Sequence, residues 1–250
     1  MFITLPSTSS PLHYPENTVA TFTTRLEEPI DLKGYGEYEV GLSEIQFGTL
    51  IQNVRDCWIQ VTIINKVHER KHLPDGFYGA RHELSSALMN CLPTTLTELK
   101  VKIDKQTRLV SFHMFVPMKI EMSRNLADLL GFDDVFMESG ITKKSDFVSN
   151  QAFDLFRGLE HIYVYSDIGR DTVLGHVKAP LLRVVNTSIS EEPTQHCLTF
   201  NKINYVPVSK RHIDKILIYL RLASGEKVPF MSGTCIVTLH LRRRTHVSLM

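Results

Sequence analysis

Alternation with a period of two runs through both ends of this chain and breaks off in the middle, and no other feature constrains the fold as strongly. Trp58–Ile64 alternates strictly, with Ile59, Val61 and Ile63 on one face and Trp58, Gln60, Thr62 and Ile64 on the other. Ala20–Leu26 is rich in Thr and aromatic residues, and Tyr38–Phe47 alternates around Val40, Leu42 and Ile45. These are strand signals, because successive side chains of a strand leave opposite faces. After residue 160 the pattern returns in His161–Ile168, Leu181–Thr187, Cys197–Val206, Ile213–Leu222 and Cys235–Leu241. Pro29–Gly36 reads as a loop and Ser224–Lys227 as a hairpin turn. Three strands before the middle and five after it give about eight, and eight antiparallel strands in two sheets make a single jelly-roll β-sandwich. The fold class is mainly β.

The middle has a different texture. Pro74–Phe77 is a turn, and Arg81–Leu92 carries Leu84, Leu88 and Cys91 on one helical stripe that Pro93 ends. Leu99–Ile103 and Leu109–Val116 read as a hairpin around Asp104–Thr107, followed by a strand near Lys119–Met122. Ser123-Arg124-Asn125 starts a short helix, Leu126–Leu130, with Gly131 at its C-terminal cap. Residues 133–158 are polar and irregular and read as a linker back. The expected organisation is therefore a jelly-roll domain of 1–70 plus 151–250, with 71–150 an inserted small α+β subdomain and linker. The Thr/Ser-rich stretch up to Pro15 reads as a frayed terminus or as an arm that docks on a neighbour.

Composition excludes several classes. Hydrophobic residues make up 43%, and 28 basic residues balance 27 acidic ones to a net charge of +1, so the chain is neither disordered nor a dedicated nucleic-acid binder. Its purely apolar runs reach about five residues, as in Ile216–Leu220, too few to span a membrane. Met1–Ser7 has neither the basic nor the apolar region of a secretory signal, so secretion is not expected. The four cysteines, Cys57, Cys91, Cys197 and Cys235, form no C-x-x-C and read as small hydrophobes in a reducing compartment. In such a compartment the sequon Asn186-Thr187-Ser188 is a chance tripeptide in a strand.

One motif points to chemistry. His68-Glu69-Arg70-Lys71-His72 matches H-E-x-x-H, which binds zinc when a helix carries both histidines on one face with the glutamate beside the metal-bound water. Here a strand precedes it and Pro74 follows, leaving no room for an amphipathic helix, so His68, Glu69 and His72 are read as a chance match in a solvated loop. A zinc hydrolase stays only a remote alternative. Gly34-Tyr35-Gly36 lacks the third glycine of a dinucleotide loop, there is no phosphate-binding loop or nucleophile elbow, and Asp133-Asp134 reads as a solvated cap. His196 and Cys197, adjacent in a strand, point to opposite faces and cannot form a dyad. No catalytic residue and no cofactor is expected. The basic run Arg242-Arg243-Arg244, with His246 beyond it, reads as a solvated tail or edge guard, dispensable for folding, with contact to nucleic acid or an acidic partner as the functional alternative.

A string of motifs carries a family resemblance. It runs Leu5-Pro6-Ser7, Tyr14-Pro15-Glu16-Asn17-Thr18, Phe22-Thr23, Leu26, Pro29-Ile30-Asp31-Leu32 and Tyr38-Glu39-Val40-Gly41-Leu42-Ser43-Glu44-Ile45. It continues in Pro74–Tyr78, Leu126 with Leu129–Phe132, Tyr163–Asp167, Pro180–Val185 and Leu239–Arg242. The string resembles the minor capsid (penton) proteins of Maverick/Polinton elements and adintovirus-like viruses; it departs from them at Glu16, where Asn is common, and 133–158 carries no matching motif. The resemblance implies a jelly-roll capsomer that forms a homopentamer at icosahedral fivefold vertices, beside a double jelly-roll major capsid protein. It implies a virion location after synthesis in the host cytoplasm or nucleus, and room for weak contact with packaged DNA through the basic C-terminus. Capsomers bury apolar surface against neighbours, and Phe153, Leu155 and Phe156 in an otherwise polar segment are candidates for that patch. The alternative is a cellular or domesticated β-sandwich binding module.

Overall fold

The computed structural model describes residues 1–32, 37–63, 66–92, 98–140, 145–192 and 194–244. Gly34–Gly36, Ile64, Pro93 and His246 lie outside the described residues. The chain divides into two units, Met1–Ile51 with Gly158–Met250, and Gln52–Arg157.

Eight main strands build the first unit: β1 (Phe2–Pro6), β2 (Thr21–Asp31), β3 (Tyr38–Gly48), β4 (His161–Ser166), β5 (Leu181–Asn186), β6 (Gln195–Thr199), β7 (His212–Arg221) and β8 (Ile236–Arg243). One sheet has the order β1-β8-β3-β6 and the other β5-β4-β7-β2, all antiparallel. The pairs 1–8, 2–7, 3–6 and 4–5 are those of a long antiparallel hairpin rolled up so that successive pairs fall in opposite sheets, which is the jelly roll. The inner faces meet in a core where Leu5, Phe22, Leu42, Ile45, Phe47 and Ile218 are almost wholly buried.

The alternation shifts phase twice, and each shift is a bulge. On β7 the buried positions are Ile213, then Ile216, Ile218 and Leu220, a step of three followed by steps of two. The β2 pairing shifts between Ile213 and Lys215, returning the apolar residues to the core face. On β3, Val40 and Leu42 are followed by Ile45 and Phe47, and the β8 register shifts opposite Ser43, whose hydroxyl donates to the Thr238 carbonyl at 3.1 Å.

The eight main strands match the number expected, but their membership differs in an instructive way. Phe2–Pro6 is β1 and no frayed end: Ile3 and Leu5 are buried, each worth roughly 1.5–3 kcal/mol by area. Trp58–Ile63, expected in the sandwich, belongs to the second unit and pairs with Met118–Met122. The insertion still follows the third strand, but that strand is Tyr38–Gly48. The expected Cys197–Val206 strand is β6 plus a separate Val206–Pro207 pair on β3, and between them Asn204 passes so close to Gly41 that a Cβ there would strike its carbonyl.

The second unit has its own core. Trp58–Ile63 pairs on one side with Met118–Met122, which is followed by Phe136–Glu138, and on the other with Lys66–Val67 and Lys71–His72. A second sheet joins Leu99–Ile103, Val110–Met114 and Ser145–Val148. Helix α1 (Arg81–Cys91) buries Leu84 and Leu88, and the Glu83 carboxylate accepts the Gly79 and Ala80 amides at its start, at 2.9 and 3.2 Å. Helix α2 (Arg124–Leu130) is capped by Ser123, whose hydroxyl accepts the Leu126 amide at 3.3 Å, and ends at Gly131 in the left-handed region, φ 84°. The unit starts at Gln52 and ends at Arg157, wider at both ends than 71–150. Residues 133–158 are not a plain linker, since they contribute two strands and buried side chains to it.

Candidate interaction surfaces

The H-E-x-x-H residues do not form a helical metal site. His68–Arg70 is irregular and Lys71–His72 is a two-residue strand against Trp58–Ile59, so the histidines do not share a helix face. Glu69 pairs with Lys71 at 2.7 Å, which holds its carboxyl below the usual range, and the Arg70 guanidinium stacks 3.8 Å over the Trp58 ring. Among the described residues, no group of three or more His, Cys, Asp or Glu side chains is arranged to hold a metal ion.

Phe153 and Leu155 are 1% and 6% exposed in the core of the second unit, so neither offers a docking patch. Phe156 is half-buried and stacks on Phe77, ring centroids 6.1 Å apart. The hydrophobic signal in that polar segment is a core anchor.

The arginine run is part of the sandwich. Arg242 and Arg243 lie on β8; Arg242 pairs with Glu39 at 2.6 Å and lies 3.7 Å over the Tyr205 ring, while Arg244 pairs with Glu37 at 2.8 Å. Arg243 is exposed. Beside Arg242, the Tyr205 hydroxyl and His240 Nδ1 are 2.7 Å apart, and His240 stacks on Phe2 at 4.5 Å. Burial, the N-terminal ammonium and Arg242, in that order, hold the His240 imidazole below its ordinary value. The Phe2–His240–Tyr205–Arg242 array is a preformed surface of aromatic and guanidinium groups, the side chains that dominate protein contacts. Phe2 is 65% exposed on it.

The strand edges complete the picture. β2 ends its sheet, but its outward backbone groups are taken up by the N-terminal arm. The Thr18 and Thr21 backbones bond each other, the Asn17 side-chain amide bonds both Thr23 backbone groups, and the Ser10 hydroxyl accepts the Arg25 amide at 3.0 Å. The arm therefore covers an edge of its own sheet. β1 ends the other sheet. Ser7 and Leu241 bond across to Cys235 and Met1, so antiparallel alternation turns the backbone groups of Phe2 and Thr4 outward, and no described residue pairs with them there. Pro6 ends that edge, because it has no amide to donate. β6 ends the same sheet on its other side and carries the exposed Cys197. Between β4 and β5 the hairpin of Thr172–Leu174 and Val177–Ala179 exposes Val173 and Val177.

No sequence signal marked the array or the open edge of β1. A single exposed aromatic near a terminus is common, and only the register opposite His240 gives it meaning.

Fold and surfaces define a class: a single jelly roll with an α+β unit inserted between its third and fourth strands. Among solved structures, the chain is similar to that of the selenomethionine-labelled mavirus penton protein. The likeness covers 97% of this chain and 99% of that one at a TM-score of 0.50 and 9% identity, and it shows a shared fold. No protein-family model and no curated protein matches the chain.

Proposed function

We propose that the chain is a penton-like minor capsid protein, a structural subunit and not an enzyme, which assembles as a homopentamer at the fivefold vertices of an icosahedral capsid. The observation that carries this reading is the span of the penton likeness, which takes in the inserted unit as well as the jelly roll. The motif string, by its resemblance to Maverick/Polinton and adintovirus-like capsid proteins, points the same way. In this reading the neighbours are copies of the same chain and a double jelly-roll major capsid protein, and the mature location is the virion. The open β1 edge with its Phe2–His240–Tyr205–Arg242 array is the candidate subunit contact, since an unpaired edge beside rigid aromatic groups suits strand addition or close packing. Packaged DNA is a minor partner at most through Arg242–Arg244, because Glu39 and Glu37 already neutralise two of the three guanidinium groups.

Mass photometry of the purified 28.6 kDa chain tests the proposal, five copies giving 143 kDa. Such a species, with fivefold-symmetric averages in negative stain, is the expected result. A chain that stays monomeric alone and also fails to enter particles when coexpressed with the matching major capsid protein overturns it.

A further inference from the structure

The bulge between β2 and β7 opens a groove that nothing above uses. The two strands run in step to the pair Arg25–Lys215, and the next pair is Ile30–Ile213. Over that interval β7 advances two positions and β2 five, so residues 26–29 bow away from the sheet. Between the bow and the N-terminal arm lies a groove of about 840 Å³, lined among others by Ser10, Tyr14, Arg25, Glu27, Asp214 and Lys215. That volume lies within the roughly 300–1,000 Å³ of small-molecule sites.

The groove sets two cations face to face and two carboxylates beside them. Arg25 sends its amide outward to Ser10, so its pairing with Lys215 is of the non-hydrogen-bonded kind, in which facing side chains come closest. Two like charges directly opposite each other destabilise a sheet unless something compensates them. Carboxylates of Glu27 and Asp214 line the same groove, yet none of these four side chains makes an ion pair or hydrogen bond with another described residue. Elsewhere in this unit Lys210 pairs with Asp167 and Arg242 with Glu39, while Lys178, Lys202 and Lys227 make no ion pair with a described residue.

We infer that the groove is a binding site for an acidic saccharide, a sugar carrying a carboxylate or sulfate group. The anionic group sits between Arg25 and Lys215 and compensates their repulsion. Ring hydroxyls donate to the Glu27 and Asp214 carboxylates, and Ser10, whose oxygen already accepts the Arg25 amide, keeps its own proton to donate to the ligand. Tyr14 supplies a ring for an apolar sugar face. A neutral sugar would leave the facing cations uncompensated, and a polyphosphate would meet the two carboxylates. The inference goes beyond the capsid reading and does not depend on it, because it concerns the isolated chain.

Calorimetric or saturation-transfer titration of the purified chain tests it with four probes. These are the methyl α-glycoside of N-acetylneuraminic acid, N-acetylglucosamine 6-sulfate, methyl β-galactoside and inorganic sulfate. At least one acidic sugar is expected to bind with a dissociation constant of about 1 mM or tighter, and the neutral galactoside roughly tenfold more weakly or not at all. The two acidic probes distinguish carboxylated from sulfated ligands. R25Q/K215Q should abolish the preference for acidic sugars, and E27Q/D214N should weaken whichever acidic sugar binds. All four residues are exposed, and melting curves verify that the variants fold. No binding of either acidic sugar at about 10 mM overturns the inference. So does equal binding of the galactoside, retained binding by R25Q/K215Q, or inorganic sulfate binding as tightly as the sulfated sugar.

Discussion

Asn17 pairs with Thr23 as a neighbouring strand would. Its side-chain amide donates to the Thr23 carbonyl at 2.9 Å and its side-chain oxygen accepts the Thr23 amide at 2.8 Å. One residue of the arm thus satisfies both outward backbone groups at the centre of the β2 edge, and the second sheet loses the template that an open edge would present. β1 has no such cover among the described residues, so the two sheets differ in which of their edges can recruit another chain.

Asn17→Ala should therefore do two things. It removes three hydrogen bonds, the two to Thr23 and one that the side-chain amide donates to the Ser9 carbonyl at 3.2 Å, with an expected loss of about 1–3 kcal/mol in chemical unfolding. It also bares the Thr23 backbone, so concentration-dependent self-association beyond that of the parent chain is expected in light scattering. A variant that is destabilised but associates no more than the parent refutes the edge-cover role and leaves only a local one.

Phe153 separates a core role from an interface role. It is 1% exposed among Leu84, Leu88, Val110 and Leu130 of the second unit. Phe153→Ala should destabilise by about 3–5 kcal/mol, the usual range for a buried aromatic. An interface residue would instead leave the melting of the isolated subunit unchanged and weaken only assembly. Unaltered melting of the variant would return Phe153 to the surface.

The jelly roll was legible because its strands each bury one face, which imposes alternation, and even the bulges left a trace. Val40, Leu42, Ile45 and the Ile213–Ile216 step are spaced two, then three, as a phase shift requires. Strand membership was not legible. Trp58–Ile63 alternates as cleanly as any sandwich strand, because a half-buried strand looks the same whichever sheet receives it. Phe2–Pro6 was hidden by its length and its terminal position, although two buried side chains and pairing with β8 hold it. At the candidate surfaces, local sequence misled where contacts are long-range. Arg242 and Arg244 read as a free tail, and their partners Glu39 and Glu37 lie some two hundred residues away. Phe153 and Leu155 stood out against a polar background, and the tertiary fold buries them.

Arg242 and His240 give a titration test. The folded imidazole of His240 titrates below its ordinary value of 6.5, so its contribution to stability is present above 6.5 and is lost as pH falls through the folded value. His212 is opposite in sign. Its bond to Asp31, 2.7 Å, raises its value, so its contribution is present below 6.5 and is lost as pH rises through the folded value. Proton NMR should resolve the two on either side of 6.5. Arg242→Ala removes one of the positive charges on His240 and should move that imidazole up toward 6.5, with about 1 kcal/mol lost from the Glu39 pair and the Tyr205 stack. An unmoved His240 would show that Arg242 does not act on it.

The four cysteines should separate by burial, which a thiol titration reads directly. Burial pushes the Cys57 thiol up to about 11 and the Cys235 thiol up to about 12, and also raises half-buried Cys91. The thiolate is the reactive species, so at about pH 8 Cys57 and Cys235 hold no more than about 0.1% of it, behind packed side chains. Cys197 is exposed on β6. In native protein a disulfide reagent should modify Cys197 rapidly and Cys91 slowly, with Cys57 and Cys235 reacting only after denaturation. Cys197→Ser should delete the fast phase and leave the melting temperature unchanged. If the fast phase survives that substitution, another cysteine is open to solvent, and the burial described for Cys57, Cys91 or Cys235 is wrong.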